Sequence, residues 1–124
     1  KECFGKSGMS TSQIGRQNVR YAENNLIIGD SSEPRLIKEL RDRGCNVTGA
    51  KKGKGSILSG IALLQDYKII VDPKSHGIIR ELNHYVWKEK GSVPIDKYNH
   101  FLDAIRMGAM YLIGKRGRGS YAIR

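Results

Sequence analysis

The stretch NLIIGDSSEPRLIKELRDRGCNVTGA, residues 25–50, decides the fold. Its first part, Asn25 to Asp30, is a short continuous apolar run ending in an acid, the signature of a buried parallel strand. Ser31 and Ser32 then offer helix caps, Pro34 sits in the first turn, and Leu36, Ile37 and Leu40 repeat at helical spacing until Gly44 stops the helix. Cys45 to Ala50 reads as a second strand. A strand, a helix and a strand in this order bring the two strands side by side in parallel, so the expected class is α/β with a mainly parallel sheet flanked by helices.

Working outward, the same alternation continues. Upstream, Ser10 to Glu23 is a helix with Ser10 or Thr11 as its N-cap. Downstream, GKGSILSGIALLQDY (53–67) is an apolar-striped helix, KIIVD (68–72) a third strand closed by Pro73, and SHGIIRELNHY (75–85) a helix opened by Ser75. VWKEKGSVPIDKYN (86–99) reads as a short strand and a loop, and a helix over 98–113 precedes a basic tail, 114–124. In that last helix the only charges between Phe101 and Ile113 are Asp103 and Arg106. A carboxylate there needs a partner. Such a helix is apolar nearly all round and is expected to be buried on most sides; His100 and Asp103, three residues apart, point away from Leu102, Ile105 and Ala109 and share their own side with Met107 and Met110.

The composition of the 124 residues bounds the partners. Twenty-two Lys and Arg against twelve Asp and Glu give a formal charge of +10, which favours a polyanion, most commonly nucleic acid. The apolar runs fall far short of a membrane span, no signal-peptide pattern is visible in the sequence, and no membrane association is expected. Two cysteines, Cys3 and Cys45, make neither a disulfide framework nor a metal-spaced pair and read as reduced thiols.

GAKKGKGS, residues 49–56, lies between a strand and a helix like a phosphate loop. The glycine spacing is one short and Gly55 separates Lys54 from Ser56, so ATP binding is not expected. Lys51, Lys52 and Lys54 suit a phosphodiester backbone better, the bland reading being a solvated charged loop. Asp30 ends a buried strand, where α/β proteins place ligand-binding groups, although it could instead cap the next helix. Asp72 precedes Pro73 and suits a turn, and His76 and His84 are structural. Asp30 and Asp103, from a strand end and a helix, are hard oxygen ligands suited to Mg²⁺ or Mn²⁺, with His100 beside them.

These residues together resemble the nuclease domain of phage terminase large subunits. Four motifs occur in that family's order: D-S-x-E-P at 30–34, the G-K loop, Y-x-W-K at 85–88, and N-H-x-x-D-A-[IL]-R at 99–106. The likeness runs from about residue 2 to 113 and leaves the basic tail, 114–124, outside it. It implies a ribonuclease H-like fold and two-metal cleavage of concatemeric double-stranded DNA during genome packaging. By motif, Asp30 matches the second metal-binding acid, Asp103 the last, and His100 the adjoining histidine, these three being the expected catalytic and metal residues. Arg35, Lys38 and the 51–54 lysines would hold the DNA backbone without reading bases. The implied partners are the terminase small subunit and the portal or procapsid, in the cytoplasm of a bacterial host.

The family's opening D-x-G strand has no counterpart here, and KECFG reads as the end of the family domain's third strand, with its first two strands and first acid expected to be missing. The expectation is therefore an N-terminally truncated domain without its ATPase, weak or inactive alone, which self-associates through an exposed sheet edge. Two alternatives stand beside it: another ribonuclease H-like nuclease of resolvase type, and a non-catalytic basic nucleic-acid-binding module.

Overall fold

The computed structural model describes residues 1–89, 91 and 93–116. Its elements are α1 (Thr11–Ala22), β1 (Ile27–Gly29), α2 (Pro34–Asp42), β2 (Val47–Gly49), α3 (Ser56–Gln65), α4 (His76–His84) and α5 (His100–Arg116). They fall into two compact units, Cys3–Lys52 and Lys1–Glu2 with 53–124.

The unit of residues 3–52 holds the strand–helix–strand arrangement. β1 and β2 pair in parallel, Ile27 opposite Val47, Ile28 opposite Thr48 and Gly29 opposite Gly49. Parallel neighbours need a crossover, and α2 supplies it. α2 ends as expected at Gly44, whose φ of 92° is left-handed. The Cys45 N–H reaches the Leu40 carbonyl at 3.0 Å and the Gly44 N–H reaches Arg41 at 2.9 Å, so the chain turns off the helix with its last carbonyls satisfied. That turn delivers Cys45 beside Leu40 in a core of Ile37, Leu40, Cys45 and Val47, edged by Ile14, Ile27 and Leu36. Each such aliphatic side chain contributes about 1.5–3 kcal/mol on burial. At the other end of the unit, Ser10 caps α1 reciprocally with Gln13: the Gln13 N–H donates to Ser10 Oγ at 3.2 Å and the Ser10 N–H to Gln13 Oε1 at 2.8 Å.

The other unit is helical, with α5 packed on both α3 and α4. The third strand expected at 68–72 does not form: these residues follow α3 without a ladder, and the sheet among the described residues is two-stranded. Where a short strand and a loop were expected, residues 86–88 and 93–95 pair as a small antiparallel hairpin, bridged at Trp87 and Pro94, with the Lys88 N–H donating to the Val93 carbonyl at 2.7 Å. α5 runs to Arg116, so residues 114–116 of the expected tail are helical; 117–124 lie outside the described residues.

The expectation that α5 is buried on most sides also needs correction, because most of its described side chains are only half-buried. Among the α5 residues whose burial is described, Arg106 is the buried one at 6% exposure, while Leu102 and Ile105 are only half-buried. Gly60 on α3 explains this. A Cβ there would collide with Arg106 Cγ, so the glycine opens the space in which the arginine stem lies. Long cationic side chains bury their methylenes in such a slot and keep the charged end toward polar company. Here that company is Asp103, whose Oδ1 is 3.4 Å from Arg106 Nη2.

Two helix starts in this unit are closed by glutamates distant in sequence. The Glu2 carboxylate accepts from the Gly77 and Ile78 N–H groups of α4 at 2.9 and 3.2 Å. Buried Glu81 accepts from the Phe101 and Leu102 N–H groups of α5 at 2.8 and 3.0 Å. Both satisfy orphan donors and place negative charge at a helix N-terminus, where the backbone dipoles favour it. Ser75 precedes α4 as expected, but its hydroxyl accepts from the Glu2 N–H at 2.9 Å rather than capping its own helix.

Candidate metal centre and nucleic-acid interface

Asp30 directly follows β1, at the strand end from which a side chain can meet solvent. Its Oδ1 accepts from the Ser32 N–H at 2.9 Å and from Ser32 Oγ at 2.8 Å, and it pairs with Lys52 Nζ. The Lys52 hydrogen bond above all, then the Ser32 backbone N–H, holds the Asp30 carboxyl down at about 2 from its ordinary 3.8. The group is fully ionised at neutral pH, and its side chain is 43% exposed. Asp30 does not cap α2. Neither do the serines, because α2 starts after Glu33 without a side-chain cap.

The nominated cations have unequal settings. Lys51 and Lys54 are exposed. Lys52 is engaged by Asp30. On α2, Arg35 pairs with Glu39 and Lys38 with Asp42, each at 3.0 Å and one turn away. The Glu39 carboxyl lies below its usual range because Thr11 donates to it, Arg35 next. The boundary between the two units falls inside the 51–54 loop.

Asp103 and His100 belong to the helical unit, on the first turn of α5. His100 is exposed and Asp103 half-buried, its N–H bonded to the Asn99 carbonyl at 2.7 Å. Asp103 lines two pockets. One, of about 330 Å³, is walled by Ile61, Leu64, Tyr67, Leu82 and Leu102 among others. The second, of about 490 Å³, lies under the hairpin and the start of α3, with Ser56, Lys88, Pro94 and Asn99 in its wall. Tyr85 lines both. Burial first, then the charge of Asp103, pushes the Tyr85 phenol above its ordinary value, so it stays a hydroxyl donor at neutral pH. Tyr85 and Glu81 escaped the sequence reading as individual residues. The signal for Tyr85 was its place in Y-x-W-K; Glu81 carried none beyond its charge. His84 is structural as expected, stacked on Tyr98 with centroids 4.8 Å apart, and Asp72 holds a turn by accepting from the Lys74 N–H at 2.8 Å.

Asp30 thus lies in one unit, and Asp103 and His100 in the other. Within either unit, among the described residues, no three His, Cys, Asp or Glu side chains gather into a ligand set. The donors themselves fit a hard divalent cation in type: Asp30 is an ionised, solvent-open carboxylate, and Asp103 a second carboxylate facing open pockets. Among the described residues no helix is long and apolar enough to cross a membrane.

No curated protein and no solved structure matches the chain significantly. A protein-family model does, the terminase RNase H-like domain, over residues 11–110. That span takes in α1, both strands, Asp30, the lysine loop, Tyr85, His100 and Asp103, and agrees with the α/β arrangement observed. The chain belongs to the terminase RNase H-like domain family.

Proposed function

We propose that the chain acts as the metal-dependent endonuclease domain of a phage or prophage DNA-packaging terminase large subunit, with concatemeric double-stranded DNA as substrate. The observation that carries this reading is Asp30: within the family match, the acid of the D-S-x-E-P motif stands at a strand end and is held ionised at about 2. Asp30 and Asp103 would hold Mg²⁺ or Mn²⁺, and His100 would orient a ligand beside them. When bound, such ions supply Lewis acidity for activating water and stabilising a leaving oxygen. Lys51 and Lys54 would neutralise phosphates, joined by Lys52, Arg35 and Lys38 when their carboxylate partners exchange them for DNA. The Tyr85 hydroxyl would donate to an oxygen near Asp103. Small subunit and portal are the partners this role requires.

The test is Mn²⁺-dependent nicking of supercoiled plasmid, beside calorimetric Mn²⁺ titration of the same samples. Nicking should be slow, because Asp30 must first release Lys52, and should vanish in Asp30→Asn and in Asp103→Asn together with Mn²⁺ uptake. DNA binding with no Mn²⁺ site dependent on these acids would identify a non-catalytic basic module instead.

A further inference from the structure

We infer that Arg16, Arg20 and Arg43 form a second phosphate-binding surface for double-stranded DNA, in addition to the 51–54 loop. The inference rests on the nuclease reading above and adds a place where the substrate backbone is held. Its starting point is the disposition of cations in the 3–52 unit. Arg35, Lys38 and Lys52 are each neutralised by a carboxylate, and Arg41 donates to the Val47 carbonyl at 2.7 Å, which fixes it to β2. The α2 face that the sequence nominates for DNA is therefore largely self-compensated.

Arg16, Arg20 and Arg43 have a different setting. They line one open pocket of about 470 Å³ with Ser12, Gly15 and Val19, and no carboxylate contributes to that lining. Arg43, the last residue of the α2 turn, lays its Cδ beside Gly15 of α1. Its charge is felt by Glu39, but that carboxylate is already bonded to Thr11 and Arg35. Arg20 Cζ lies over the Tyr21 ring, 5.3 Å from its centroid, a cation–π contact that involves no carboxylate. Ser12 adds a hydroxyl donor.

Three guanidinium groups around a carboxylate-free concavity suit phosphate oxygens, which accept two parallel N–H bonds from each fork. Arg16 and Arg20 are four residues apart on α1, about 6 Å along its axis. Phosphates on one strand of a duplex rise about 3.4 Å each, so this spacing spans nearly two steps. The contacts are to the backbone alone and carry no sequence preference.

The probe is a fluorescein-labelled duplex of arbitrary sequence, titrated with the full chain at several salt concentrations by anisotropy. Replacing all three arginines with glutamine should flatten the log–log salt slope by about 2.7, at about 0.9 per lost phosphate contact. The matching Arg→Lys triple keeps the charges and should retain most of the slope. If the glutamine triple fails to fold by circular dichroism, the three single substitutions should each flatten the slope by about 0.9. An unchanged slope in these variants, with a flattened one in Lys51→Ala/Lys52→Ala/Lys54→Ala, would overturn the arginine surface and leave the nuclease reading standing. Conversely, an arginine-dependent slope in a protein with no Asp30- or Asp103-dependent Mn²⁺ site supports the surface while the nuclease reading fails. Arginine-dependent binding to phosphatidylserine vesicles, with DNA binding unaffected, overturns it in favour of a membrane surface.

Discussion

The two units of this chain solve the same problem with different chemistry. In residues 3–52 the interior is apolar, with Ile37, Leu40, Cys45 and Val47 all buried around a parallel strand pair. In the helical unit the buried set mixes Ile78 with Ser75, Glu81 and Arg106, and large apolar side chains such as Tyr67, Ile69, Ile70, Trp87 and Val93 remain exposed. The first region is held by area removed from water, the second by hydrogen bonds that finish helix ends and by an arginine stem in a glycine slot. The difference teaches where tolerance lies. An apolar core loses stability in proportion to missing volume, whereas a capped helix loses it when one acceptor is removed and buried donors are left unpaired.

The comparison breaks most visibly at Leu40. Leu40→Ala should destabilise the 3–52 unit by about 3.5 kcal/mol, the middle of the range for a buried leucine. Amide hydrogen exchange across α1, α2 and the strands reads it, and a cost under about 1 kcal/mol would mean that this core is loosely packed. Next comes Glu81. Glu81→Ala should lower the protection of α5 by about 2 kcal/mol, because two N–H groups lose a charged acceptor; Glu81→Gln, which keeps an acceptor oxygen, should cost roughly half as much. Equal costs for the two would show that packing rather than capping is what Glu81 supplies.

The smallest effect sharpens the comparison at Asp30. Its folded pKa is depressed, so the Lys52 pair contributes stability above the unfolded value of 3.8 and loses it as pH falls toward about 2. With the side chain 43% exposed, screening keeps the contribution below about 1 kcal/mol. Lys52→Met should therefore move the Asp30 carboxyl upward in an NMR titration and scarcely change the melting temperature. No movement of that titration would show that Ser32 alone holds the charge.

What the sequence made legible was local. Helix periodicity, an N-cap at Ser10 and the Gly44 stop all depend on residues within a few positions of one another, and the structure carries each of them. What it hid was long-range. Lys68 to Asp72 has strand composition, yet a strand exists only with a hydrogen-bonding neighbour that the stretch does not encode, and Ile70 is left 85% exposed. The burial of Arg106 was not legible because a periodic pattern treats arginine as polar throughout, whereas its place is decided by Gly60 on another helix. At the candidate site, the strand-end acid was readable from its context. The partner that tunes it, Lys52, comes from 22 residues away, and the cap that fixes the start of the Asp103 helix from about 20.

The glutamate that closes α4 has a consequence for the order of events during folding. Glu2 meets Gly77 and Ile78 across 75 and 76 residues of chain. A nine-residue helix is marginal by itself in water, and a loop of that length is entropically costly to close before its contacts exist. The α1–α2–β2 region, assembled from contacts close in sequence, should therefore become protected early. α4 should acquire its full protection only when residue 2 arrives, among the last steps of the reaction.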